Sequence, residues 1–249
     1  MIESMEISQP ESASTYAVAN GVRLSTRIIP AAQATRGGDW CEAFVVSEDV
    51  IALSIGDVCG HGSQKFAPMA ALRQVIREAA AYGFDPAQTL AEANRFLRVY
   101  DPDGSATAIF GLLSTRRHTL VFANAGHPPP LMTSPGSAFF LEFPDADFPL
   151  GIEDVLEPAL RVVTVPAEAL LVFYTDGVSE HEMKPLQGAA ELHAASAIAY
   201  GLSTLPAAAV IERQMLLTGS NRDDAAILTA WMPAVPSGRN SHTKAFNGR

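Results

Sequence analysis

Apolar segments in this chain come in close pairs. Residues 43–46 and 50–55 are separated only by Ser47-Glu48-Asp49, residues 106–114 and 119–124 flank a polar turn at Arg116-Arg117, and residues 160–165 and 170–175 flank Pro166-Ala167-Glu168. Links this short join antiparallel neighbours, because a parallel pair needs a crossover of roughly a dozen residues or more. Segments 23–29 and 225–231 read as two further strands. Between 63 and 82, Met69, Leu72, Val75, Ile76 and Ala79 recur at helical spacing, and Gly83 is placed to end the helix. Asp85-Pro86 predicts an N-cap and first turn for a helix running to 99; 189–198 and 206–217 predict two more. Hairpins outnumber strand–helix–strand units, so the expected class is α+β, with antiparallel sheets covered by helices.

With 249 residues, 48% of them hydrophobic and 18% charged, the chain can bury a sizeable core. We read one domain at 21–232, with a flexible lead-in at 1–20 and a flexible tail at 233–249, rich in Pro, Ser, Asn and Gly. The net charge of −10 argues against nucleic acid or an anionic membrane as partner, and suits a protein that holds cations with carboxylates. Two cysteines, a polar acidic start and the lack of a membrane-length apolar run lead us to expect a cytoplasmic protein.

Four acidic clusters sit at strand ends or turns: Arg36-Gly37-Gly38-Asp39-Trp40, Gly56-Asp57-Val58-Cys59-Gly60-His61-Gly62, Thr175-Asp176-Gly177 and Arg222-Asp223-Asp224-Ala225. Any one alone is explained by turn chemistry, since Asp-Gly is a common turn pair. All four share a design in which a carboxylate is held rigidly at the rim of an apolar strand. Carboxylates converging from such rims would repel one another without cations between them, and hard oxygen ligands suit Mg²⁺ or Mn²⁺.

The chain resembles the PPM family of metal-dependent protein phosphatases, in its bacterial SpoIIE-like (RsbU-like) branch. The stretches that carry the resemblance are GGDW at 37–40, SIGDVCGHG at 54–62, ANAGHPPPLM at 123–132, FPLGI at 148–152, LLVFYTDGVSE at 170–180 and RDDAAIL at 222–228. They occur in the family's order and span nearly all of 33–231. The resemblance implies an α-β-β-α sandwich of two antiparallel sheets flanked by helices, with two Mn²⁺ or Mg²⁺ ions at one edge. It implies Asp39, Asp57, Asp176 and Asp223 as catalytic ligands, the backbone carbonyl of Val58 as another, and Asp224 as a further candidate. Glu42 stands where the branch often has a second Asp; it could accept hydrogen bonds or hold a water-linked metal.

The implied activity is hydrolysis of phosphoserine or phosphothreonine in a protein by a metal-activated water. Relatives in this branch often act on STAS-type anti-anti-sigma regulators, which makes such a protein the expected substrate. With no room for a sensor domain ahead of the first strand, control is expected from an activating protein partner, metal supply or expression. Other phosphatase chemistries find no support: where a cysteine-phosphatase loop needs arginine, Ser47 and Lys65 stand, and no Gly-Lys pair exists for a P-loop. Arg36 is a candidate substrate-phosphate ligand or a solvated arginine; His61 is a candidate proton donor or phosphate ligand, or a cap on its glycine turn. His127, in Gly-His-Pro, reads as structural. The competing function is a catalytically idle, phosphatase-like module that binds a partner.

Overall fold

Along the strand that carries Asp57, Ile51, Leu53 and Ile55 join one hydrophobic core, while Ala52 joins another. A strand buried on both faces belongs between two other layers, and the computed structural model shows them. It describes residues 14–31, 37–60, 62–143, 147–179, 185–216 and 223–234.

The elements run β1 (Ser14–Ala19), β2 (Val22–Ile29), β3 (Asp39–Ser47), β4 (Val50–Val58), a 3₁₀ turn (Gly62–Lys65), α1 (Phe66–Ala81), α2 (Pro86–Tyr100), β5 (Ala106–Ser114), β6 (Thr119–Ala125), β7 (Leu131–Ser134), β8 (Ser137–Phe140), β9 (Arg161–Thr164), β10 (Leu170–Tyr174), α3 (Asp176–Ser179), α4 (Pro185–Gly201), α5 (Ala207–Leu216) and β11 (Ala225–Trp231). One sheet has the order β1-β2-β11-β10-β7-β8, the other β3-β4-β5-β6-β9. Every strand pair is antiparallel.

The sheets pack face to face through Leu24, Ile55, Phe122, Phe173 and Leu228. Outside the β3-containing sheet, Leu72 and Ile76 of α1 and Leu90 and Leu97 of α2 cover Trp40 and Phe110. Outside the other, Leu192 and Ala195 of α4 and Ile211 and Met215 of α5 cover Val172 and Ile227. This is the expected α-β-β-α sandwich. The expected cap of α2 also forms: Gln88 N donates to Asp85 Oδ1 at 2.9 Å, and Asp85 N donates to Gln88 Oε1 at 3.1 Å. Such a reciprocal cap contributes roughly 1 kcal/mol.

Two expectations are corrected, and one further hairpin is found. Residues 14–19, placed in the lead-in, form β1, paired to β2 across Asn20-Gly21. Both turn residues have positive φ (50° and 79°), the geometry that an Asn-Gly hairpin adopts readily. Segments 160–165 and 170–175 are not a hairpin. β9 pairs with β6 and β10 with β7 and β11, so Pro166-Ala167-Glu168 carries the chain from one sheet to the other, anchored by fully buried Val165 and Ala169. The short β7–β8 hairpin was not expected at all; its signal is Pro135-Gly136, with Gly136 at φ 77°.

Candidate functional site

Asp39 opens β3, and Asp57 stands directly opposite it near the end of β4. Neighbouring strands bring such partners within about 5.5 Å Cα to Cα, and the two carboxyl groups share a hydrogen bond. Asp39 is buried, and its Oδ2 and Asp57 Oδ1 have no hydrogen-bond partner among the described residues. Burial, then repulsion from Asp57, holds the pKa of Asp39 well above the usual carboxylate range. Burial raises Asp57 as well, while its hydrogen bond with Asp39 and the Lys65 charge pull it back. Without a cation, a proton shared between the two carboxyl groups relieves this repulsion.

The other sheet supplies the facing groups. Thr175, fully buried after β10, donates to Asp39 and accepts from Ala226 N at 2.8 Å. Asp176 follows as the first residue of α3, close enough for its charge to act on Asp57. Gly177 is required by a close approach: a Cβ there would lie 1.9 Å from the Asp224 carbonyl oxygen. Asp223 is exposed, and its Oδ1 accepts from Asp224 N at 2.8 Å. Asp224 is buried and grips the chain ahead of β3: its Oδ1 accepts from Ala31 N at 3.0 Å and its Oδ2 from Gly38 N at 2.9 Å.

Lys65, which the sequence reading did not select, enters this cluster. It closes the 3₁₀ turn before α1, and its side chain is 5% exposed. Nζ lies 3.6 Å from Asp57 Oδ1 and 3.9 Å from Asp223 Oδ1. Burial pulls the ammonium pKa down, but Asp57, Asp223, Asp39 and Asp224 outweigh that and leave it raised. Gly38 makes room for the stem, since a Cβ there would lie 2.5 Å from Lys65 Cδ. Among the described residues, no three Asp, Glu, His or Cys side chains converge on one point. Asp39 and Asp57 do meet, Asp176 and Asp223 approach them from the second sheet, and Lys65 lies between Asp57 and Asp223.

The remaining candidates fall elsewhere. Arg36 and His61 lie outside the described residues. Val58 N donates to Gly38 O at 3.3 Å, which ties the end of β4 to the GGD stretch. Glu42 does not face Asp39: three positions on, it points through the opposite face of β3, beside Trp40 and Phe44, toward α1. Its Oε2 lies 3.1 Å from Arg73 Nη2 and 3.6 Å from Arg77 Nη1. The water-linked metal role weighed for it is replaced by ion pairs from buried Glu42 to two partly exposed arginines of α1. His127 spans the two sheets beneath the site. Its Nε2 can only donate to the Tyr174 carbonyl, at 3.1 Å, so Nδ1 accepts from the Thr107 hydroxyl at 2.8 Å. Burial pushes its pKa down to about 3 and keeps it neutral.

Against known proteins, the family model described as Stage II sporulation protein E (SpoIIE) matches residues 47–232. The chain belongs to the SpoIIE family. The match takes in Asp57, Asp176, Asp223 and Asp224 and begins after Asp39. Phosphoserine phosphatase RsbP of Bacillus subtilis (strain 168) is 26% identical over 148 residues, which are 57% of this chain and 36% of that protein. The crystal structure of the RsbU and RsbW domains of Rv1364c from Mycobacterium tuberculosis superposes with a TM-score of 0.75 at 27% identity, over 90% of this chain and 62% of that one. RsbX in complex with magnesium superposes with a TM-score of 0.69 over 88% of this chain and all of that one; at 14% identity it shows the fold alone. The SpoIIE-family chain thus spans about a third of RsbP and under two thirds of the Rv1364c chain. The expected PPM relationship, in the SpoIIE-like branch, holds, and that family is metal-dependent. No helix among the described residues is long and apolar enough to cross a membrane.

Proposed function

We propose that this SpoIIE-family domain is a metal-dependent protein serine/threonine phosphatase. The observation that carries the reading is the Asp39–Asp57 pair: two registered carboxylates at a sheet edge, each with a buried oxygen that has no hydrogen-bond partner among the described residues. Such a pair is costly unless protonated or bound to a cation, and its hard oxygens fit Mn²⁺ or Mg²⁺. Two such ions would be held by Asp39, Asp57, Asp176 and Asp223, with the Val58 carbonyl and Asp224 as further candidates. When bound, they supply Lewis-acid activation of water and offset phosphoryl charge.

The chain's own residues position this chemistry. Thr175 fixes one oxygen of Asp39 by donating to it. Asp224 holds the backbone of Gly38, the residue before Asp39, through its amide. His127 joins Thr107, the registered partner of Asp57, to the residue two before Asp176. No side-chain nucleophile is needed. The substrate we propose is a phosphorylated protein, a STAS-type anti-anti-sigma regulator in the cytoplasm, with an activating protein partner. Lys65, lodged among the carboxylates, is what favours the idle partner-binding alternative.

Phosphate release from a phosphoserine protein, with Mn²⁺, Mg²⁺ or EDTA, tests the reading. Turnover that EDTA abolishes, and that Asp57→Asn and Asp176→Asn each lose, supports it. A folded chain without turnover under any metal, on candidate STAS substrates as well, sinks it in favour of the binding module.

A further inference from the structure

Lys65 is placed where the proposed site would need its positive charge. Its ammonium faces Asp57 on one sheet and Asp223 at the edge of the other, at 3.6 and 3.9 Å. The side chain is 5% exposed, so the stem as well as the tip is enclosed. A Cβ on Gly38 would overlap Lys65 Cδ at 2.5 Å, so this glycine of an acidic motif leaves the room that the stem fills. A lysine this enclosed persists only with carboxylates around it.

We propose that Lys65 is a tethered competitor for a metal position, its ammonium standing between Asp57 and Asp223 where a divalent ion would bind. This rests on the reading of those carboxylates as metal ligands. Mn²⁺ or Mg²⁺ bonds oxygen at about 2.1 Å. With Nζ at 3.6 Å from Asp57 Oδ1, an ion on that same oxygen would lie within about 6 Å of the ammonium, where a divalent and a monovalent cation repel strongly. The ammonium and the ion therefore compete for Asp57, and metal binding favours a Lys65 turned out of its slot. The metal-free chain gains a built-in neutralising charge, and the cost is a weaker metal affinity.

The test is calorimetric titration of MnCl₂ into the full 249-residue chain, with wild type, Lys65→Met, Lys65→Arg and Asp57→Asn compared at one pH. Each is also melted in EDTA. Lys65→Met is expected to bind Mn²⁺ about tenfold more tightly or better and to melt lower than wild type in EDTA. Lys65→Arg, which keeps the charge, should stay near wild type. Mn²⁺ affinity in Lys65→Met that is unchanged or weaker overturns the competitor role, as does the absence of Mn²⁺ binding by both proteins. A lowered kcat or raised KM with unchanged Mn²⁺ affinity would make Lys65 a phosphoryl ligand instead. Asp57→Asn separates the two levels: if it binds Mn²⁺ as wild type does, the carboxylate reading itself fails, whatever Lys65→Met shows.

Discussion

Asp57 and Thr107 stand directly opposite each other on β4 and β5, and the Thr107 hydroxyl is the group that donates to His127. Through one imidazole the strand of Asp57 is joined to the Tyr174 carbonyl on the other sheet. Replacing His127 by Ala leaves a part-buried hydroxyl and a buried carbonyl without their partner, which costs about 2 kcal/mol. The pH dependence has a definite sign. The folded pKa is about 3, against an ordinary 6.5, so above 6.5 neither state binds this proton. Below it the unfolded chain protonates first, and stability falls by up to about 1.4 kcal/mol per pH unit on the way to pH 3. Urea unfolding in EDTA at several pH values should show a shallower acid limb for His127→Ala; an unchanged slope would refute the neutral clamp.

Asp39→Asn should separate stability from chemistry. Asparagine keeps a hydrogen-bonding group beside Asp57 and removes a carboxyl that burial and Asp57 hold well above its usual range. In EDTA its melting temperature should equal or exceed that of wild type. With Mn²⁺ the wild type should gain several degrees while the variant gains little. A variant that melts far lower in EDTA would show that the carboxyl pair is not the strained element.

Glu42→Ala tests the reassignment of that residue. It leaves Arg73 and Arg77, both partly exposed, without their carboxylate partner, and we expect a loss of about 2 kcal/mol. Mn²⁺ affinity at a temperature where the protein is folded should not change. A tenfold loss of affinity would return Glu42 to the metal site.

The glycines of the motifs should rank by what they touch. Gly177→Ala drives a methyl to 1.9 Å from a backbone oxygen, which cannot yield cheaply, whereas Gly38→Ala meets first the flexible Lys65 stem. We expect about 3 kcal/mol or more for the first and about 1 for the second. Equal effects in denaturant unfolding would contradict the close approach at Gly177.

Local pattern made much of the fold legible. β5 and β11 fall where their apolar runs place them, and the Asp85-Pro86 cap begins α2 as read. The third hairpin misled because a short turn between two strands says nothing about which sheet each one joins; Val165 and Ala169, buried between the layers, decide that. For Glu42 the information was present. Period-two alternation puts it with Trp40 and away from Asp39, yet the motif drew attention to spacing rather than face. Lys65 was hidden for another reason. It lies at the start of a helical pattern, and only the packing of the 3₁₀ turn on Gly38 carries it to the carboxylates. The backbone donors that occupy Asp224, Ala31 and Gly38, are nearly two hundred positions away in the chain.

The two cysteines occupy opposite circumstances. Cys41 lies between the sheets, its thiol directed at the carbonyls of Arg27 and Ile227 and its pKa pushed by burial to about 12. Cys59 is exposed, two residues beyond Asp57. A maleimide dye or spin label should thus attach at one place without any engineered residue. The chain carries its own reporter beside the carboxylates, and titrating a paramagnetic ion such as Mn²⁺ against a label at Cys59 would read site occupancy in solution.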